Sequence, residues 1–152
     1  AIFLDHAFLP KTLILASEVC DGGDLETYFL AQDPSLGVKV DFIHQACCGL
    51  LHLHSQQPPV LHMNLKPKNL LLKYEGRDIV LKLADHGLVE VVEHTLHTSY
   101  TGSEAFKAPE ALLATTTSYY TTETDVFALG LIFQAMVCFK RGNKRLKPVL
   151  GK

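Results

Sequence analysis

The stretch "VLHMNLKPKNLLL", Val60–Leu72, sets four polar side chains, His62, Asn64, Lys66 and Asn69, directly ahead of an apolar run. A second apolar run, "IVLKLA", follows the turn-forming "YEGRD", and the two runs predict a β-hairpin. Asp85 and Gly87 come just after the second strand. A hairpin brings its open ends together, so Lys66, Asn69 and Asp85 are expected to converge on one spot. Amide and carboxylate oxygens suit Mg2+, which keeps several waters and binds through substrate phosphates. A lysine beside them would offset charge on a phosphoryl group during transfer.

Upstream, "TLILASEV" (Thr12–Val19) predicts a buried strand that ends in the Gly-Gly turn of "CDGGD". Asp24 then suits the N-cap of a short helix, "LETYFLAQ", which Pro34 ends. From Val38 to Leu53, the residues Val40, Ile43, Ala46, Cys47, Leu50, Leu51 and Leu53 recur at helical spacing. They predict a long buried helix closed by "QQPP", with Cys47 and Cys48 inside it. Downstream, His86–Lys107 reads as a long surface loop and "APEALLA" as a short helical turn. "TTETDVFALGLIFQAMVCF" predicts an apolar helix capped by Thr122 or Thr124. Strand, helices, hairpin, loop and helix together indicate an α+β lobe that is mainly helical.

The chain of 152 residues is long enough for one domain with a real core, and 47% hydrophobic with 20% charged residues is ordinary for a globular protein. A formal net charge of -2 gives no reason to expect nucleic acid or an anionic membrane as partner. The end is locally basic: "KRGNKRLK" within 140–152 reads as a solvated tail, with a nuclear-import or anion-binding patch as the alternative. Cys20, Cys47, Cys48 and Cys138 show no C-x-x-C spacing, so reduced thiols of an intracellular protein are expected, in cytoplasm or nucleus. No signal peptide is recognisable, and Val126–Phe139, the longest apolar stretch, is too short to predict a membrane span. The eight histidines form no evident zinc pattern. His52 and His54 are two apart on a helix and face different ways, while His94 and His97 have no Cys or carboxylate cluster around them.

"HMNLKPKN", "DHG" and "APE", in that order, resemble the catalytic-loop, metal-binding and activation-segment motifs of eukaryotic protein kinases. "DVFALG" resembles the long helix after the activation segment, whose Asp braces the catalytic loop. "CDGGDL" and "DVFALGLIFQAM" look closest to the serine/threonine branch of PDZ/LIM-interacting kinases. The resemblance implies a protein-kinase-like fold over 1–139, hinge to long helix, followed by the basic tail 140–152. It also implies ATP and Mg2+ as cofactors and a protein as substrate or partner. Glu18 and Cys20 would meet adenine at the hinge with Ser17 as gatekeeper, Asp24 would lie near the ribose, and Leu71 and Ala84 under the base. Lys66 would face the γ-phosphate, while Asn69 and Asp85 would hold metal. Ser103 stands where the family usually has Thr.

The departures from the pattern point away from full activity. Asn64 occupies the place of the catalytic Asp, and a carboxamide is far too weak a base to take a hydroxyl proton. Met63 replaces the arginine that pairs with a phosphorylated activation loop, and His86 replaces a packed phenylalanine. No G-x-G-x-x-G loop and no "VAIK"-like strand precede Thr12, and Glu110 has no matching basic partner. The expectation is therefore a mainly helical C-lobe with a small hairpin, the N-lobe missing and the last helices truncated. Its strand Thr12–Val19 would present an unpaired apolar edge. The function expected is that of a pseudokinase with weak or no phosphotransfer, residual ATP and Mg2+ binding and an interaction role. A working serine/threonine kinase and a non-functional fragment are the alternatives.

Overall fold

A computed structural model of the chain describes residues 3–9, 12–85, 104–112, 120–140 and 142–149. The expectations placed on His86, Gly87, His94, His97 and Ser103 lie outside these residues. Two antiparallel pairs of strands and four helices make up the described chain: β1 Phe3–Leu9, β2 Thr12–Ser17, α1 Leu25–Ala31, α2 Leu36–His54, β3 Leu70–Glu75, β4 Asp78–Leu83, α3 Pro109–Leu112 and α4 Thr122–Cys138. Single 3-10 turns at Pro67–Asn69 and Glu104–Phe106 precede β3 and α3.

β2 is paired along one edge, while among the described residues its other edge has no strand partner. It pairs with β1 from Leu9↔Thr12 to Phe3↔Ser17, with an irregularity between Phe3 and Asp5. It is not buried throughout, because Ile14 is 48% exposed and Val19, just past its end, is 80% exposed. The predicted hairpin is present, β3 against β4 from Leu70↔Leu83 to Glu75↔Asp78. Gly76 turns it with φ +65, a left-handed conformation that costs glycine little.

Asp24 caps α1 as predicted, accepting from Thr27 N at 3.0 Å and Thr27 Oγ1 at 2.7 Å. Helix α2 begins two residues earlier than predicted, because Ser35 caps it through Val38 N. Its buried face is only partly the predicted one: Ala46 and Leu50 point inward with Ile43 and Leu53 packed beside them, and Lys39 and Phe42 join them, while Val40, Cys47, Cys48 and Leu51 are exposed. Lys39 reaches the interior by laying its stem along the core with its ammonium 5.7 Å from the Phe29 ring centre. Helix α4 is capped at Thr121, one residue before the predicted caps. The Thr124 hydroxyl accepts from Thr121 N and donates to Thr121 O.

The core gathers α1, α2, the hairpin and α4 around Leu25, Phe29, Phe42, Leu70, Ile132 and Met136. Each such fully buried side chain is worth roughly 1.5–3 kcal/mol relative to exposure. Phe29 and Phe139 meet edge to face at 5.5 Å. The basic end returns to this core instead of standing off in solvent. Leu146 is 1% exposed within it, Leu146 N donates to Glu26 Oε1, and Val149 N donates to Gln134 Oε1. Lys144, Arg145 and Lys147 remain exposed.

The turn after β2 locks onto the hairpin through backbone pairing. Gly22 N donates to Leu72 O and Leu72 N to Gly23 O, both at 2.8 Å, while Asp24 bridges Leu71. A Cβ on Gly22 would sit 2.7 Å from Leu72 O and 2.8 Å from Leu72 Cβ. Gly22→Ala should therefore separate the two segments and lower stability by about 1–3 kcal/mol in urea unfolding. A variant as stable as wild type would mean the pairing yields without cost.

Candidate functional site

The loop Val60–Lys66 is held from below by one carboxylate. Asp125, 2% exposed in the first turn of α4, accepts His62 N at 2.7 Å on Oδ2 and Met63 N at 2.9 Å on Oδ1. His54, at the end of α2, reaches the same Oδ2 through Nε2 at 3.0 Å. Three elements distant in sequence thus meet on Asp125. The clamp holds Met63 at φ +63, a region that costs a non-glycine residue of order 1–3 kcal/mol unless its surroundings impose it. Among the described residues Asp85 is the other non-glycine with positive φ, at +59. Such positions gather at sites where the backbone must aim a side chain.

Above the clamp, Asn69 joins the loop to the hairpin. Its side-chain Nδ2 donates to Asn64 O at 2.8 Å, its N–H to Lys66 O at 2.9 Å, and its carbonyl accepts Ala84 N at 2.9 Å. Asn64, Lys66, Asn69 and Ala84 are therefore brought together, with Asp85 the next residue along the chain. Asn69 is 4% exposed and Ala84 7%, whereas Asp85 is open to solvent. Because Asn69 Nδ2 is turned toward Asn64, its Oδ1 faces the other way. One amide oxygen and one exposed carboxylate are hard donors that fit Mg2+ better than a softer ion.

The residues expected on the adenine side sit along the turn and hairpin. Leu71 is half-buried opposite Asp24, and the Asp24 carboxylate is engaged as the α1 cap. Cys20 is half-buried, and its carbonyl accepts Gly23 N at 3.4 Å. Glu18 places its carboxylate between two lysines of the hairpin, 2.9 Å from Lys73 Nζ and 3.7 Å from Lys82 Nζ. Bonding to Glu18 raises the Lys73 ammonium above its ordinary range, so the lysine stays charged through neutral pH and loses its proton only in stronger alkali.

Beside Asn64 lies a small, partly open cleft of about 20 Å3. Met63, Asn64, Phe106, Lys107, Ala111 and Tyr120 are among its walls. In the arginine position of the family pattern, Met63 packs with Leu61 against Ala108, Ala111 and Tyr120. Loop and α3 are joined there by apolar contact.

The role of His54 escaped the sequence reading, which weighed it only as a metal ligand. Its place at the C-terminal end of α2, eight residues before His62, was the available signal. Lys73 and Lys82 were also missed, although they fall at alternating positions of the two hairpin strands.

A family model described as protein kinase domain matches residues 2–145. A probable myosin light chain kinase of Dictyostelium discoideum is 35% identical over 130 residues, covering 83% of this chain and 35% of that protein. Serine/threonine-protein kinase atg1 of the same organism is 30% identical over 130 residues, covering 84% of this chain and 19% of that protein. The chain thus spans about a third or less of the length of these curated relatives.

Proposed function

The chain belongs to the protein kinase domain family, and on that premise we propose that it works as a pseudokinase-like domain. It keeps the site's framework, retains a capacity for ATP and Mg2+, and acts mainly through a protein partner. The observation that carries the reading is the pairing of an intact frame with an altered reactive group. Asp125 and Asn69 hold the catalytic loop at four hydrogen bonds between 2.7 and 2.9 Å, yet the side chain at the base position is the Asn64 carboxamide.

Each residue has a definite task in this reading. Asn69 and Asp85 hold the metal, and Lys66 faces the γ-phosphate. Bound Mg2+ supplies neutralisation of phosphate charge. Leu71 and Ala84 form the apolar floor under the base, with Glu18, Cys20 and Asp24 along the adenine and ribose side. Asn64 can orient a hydroxyl by hydrogen bonding but cannot accept its proton at neutral pH. A segment of a protein partner would approach the loop over the surface at Asn64 and Lys107. The four free cysteines support an intracellular setting, cytoplasm or nucleus. Among the described residues no helix is long and apolar enough to cross a membrane.

A working serine/threonine kinase is the second reading, favoured by the kinase names of both relatives. The PDZ/LIM-interacting branch remains a proposal that rests on "CDGGDL" and "DVFALGLIFQAM".

Nucleotide binding is tested by melting the chain with and without Mg-ATP, alongside Asp85→Ala. At a ligand concentration of a hundred times Kd the expected stabilisation is about 2.7 kcal/mol, and it should vanish in Asp85→Ala. A cooperative melt that Mg-ATP does not move would remove the nucleotide half of the proposal and leave a scaffold.

A further inference from the structure

The outer face of α2 carries a cluster that the kinase-like site does not use. His44 and Cys48 lie four residues apart, so their side chains share one face of the helix. His44 Nε2 and Cys48 Sγ are 3.7 Å apart, and both residues are exposed. We propose that this pair is a chelating site for a thiophilic divalent cation of the Zn2+ type.

The spacing is what coordination requires. A zinc ion lies about 2.3 Å from a thiolate sulfur and about 2.0–2.1 Å from an imidazole nitrogen, and a tetrahedral angle between them sets the two donors about 3.6 Å apart. Imidazole and thiolate together also select a borderline-soft ion over the oxygen-seeking Mg2+. The scaffold is rigid at this level. Phe42, Ala46 and Leu50 bury the opposite face of α2. Gln45, beside His44, ties the helix to β4 by donating to Ile79 O and accepting Leu81 N. Cys47 is rotated about a quarter turn from Cys48.

Among the described residues no three His, Cys, Asp or Glu side chains gather into a metal-holding group. The described residues therefore supply two ligands, and the other positions are open to water or to further donors. On binding, the Cys48 thiol gives its proton to solvent and its sulfur lone pair to the cation, so affinity rises with pH. No oxidant or reductant enters.

The test is a Cd2+ titration of the full chain, kept reduced with a phosphine, with Zn2+ as competitor. Sulfur-to-cadmium charge-transfer absorption reports thiolate coordination directly. A band lost in Cys48→Ser is expected, unchanged in Cys47→Ser and weakened in His44→Gln. Removing even an outer partner of a metal site costs about 10–100-fold in affinity, so losing His44 should cost at least that. All three positions are exposed, and a metal-free melt matching wild type establishes that each variant is folded. A band that survives Cys48→Ser, an affinity unchanged in His44→Gln, or no band in wild type would each overturn the site.

Discussion

Asp125→Ala should melt about 3–5 kcal/mol below wild type and lose its response to Mg-ATP. The carboxylate is 2% exposed and accepts two backbone N–H groups and the His54 ring. Alanine leaves the His62 and Met63 donors inside the protein with no acceptor at that point. Each stranded buried donor costs about 1–3 kcal/mol. The second effect follows from the strain at Met63. Its φ of +63 is imposed by the clamp, so the loop should relax once the clamp is removed. Asn64 O would then move off Asn69 Nδ2, and the proposed metal donors would lose their alignment without having been altered. Asp125→Asn retains one acceptor oxygen and should lose roughly half as much stability. Urea unfolding of the three proteins measures this. A loss below about 1 kcal/mol in Asp125→Ala would mean that the loop is held by its packing and not by the carboxylate.

What the sequence made legible, and what it hid, has a physical pattern. The hairpin and the Asp24 cap were readable because turn and cap chemistry is local. "YEGRD" and "DGGDLET" carry their own instructions within a few residues. The bracing Asp of "DVFALG" was readable only through the family resemblance, since nothing local ties Asp125 to a loop 62 residues earlier. The buried face of α2 was partly misread because counting apolar residues favours Val40, Cys47 and Leu51. Lys39 reads as polar, yet its long stem packs inward and its charge meets the Phe29 ring. β1 was missed because Asp5 and His6 interrupt its apolar run. Leu146 was hidden for the opposite reason: a single apolar residue among lysines and arginines has no periodicity to betray it. The hairpin argument placed Lys66, Asn69 and Asp85 together, and backbone bonds do tie Asn69 to Lys66 and to Ala84, the residue before Asp85. Glu18 also has bonds no motif announces, holding two lysines of the hairpin.

Asn64→Asp should raise transfer of the ATP γ-phosphate to a peptide hydroxyl by about 10²–10⁴-fold, the ordinary worth of a general base. The exchange is close to isosteric, replacing one NH2 by an oxygen. Asn64 meets Asn69 through its backbone carbonyl, which the substitution leaves in place. The clamp on His62 and Met63 also uses backbone only. The new carboxylate would face the cleft at the loop, where a substrate hydroxyl can approach it. Lys66, next but one along the loop, would offset part of the added charge. Radiolabel transfer to a generic serine and threonine peptide pool, with Mg-ATP, gives the readout. Adding Lys66→Met to Asn64→Asp should return the rate to the wild-type level. A wild-type rate already equal to that of Asn64→Asp would favour the working-kinase reading. No rise, in a protein whose melt still responds to Mg-ATP, would place the block elsewhere than at the base. The proposal makes Asn64 the residue that separates nucleotide binding from phosphotransfer, so the two properties should part in this one substitution.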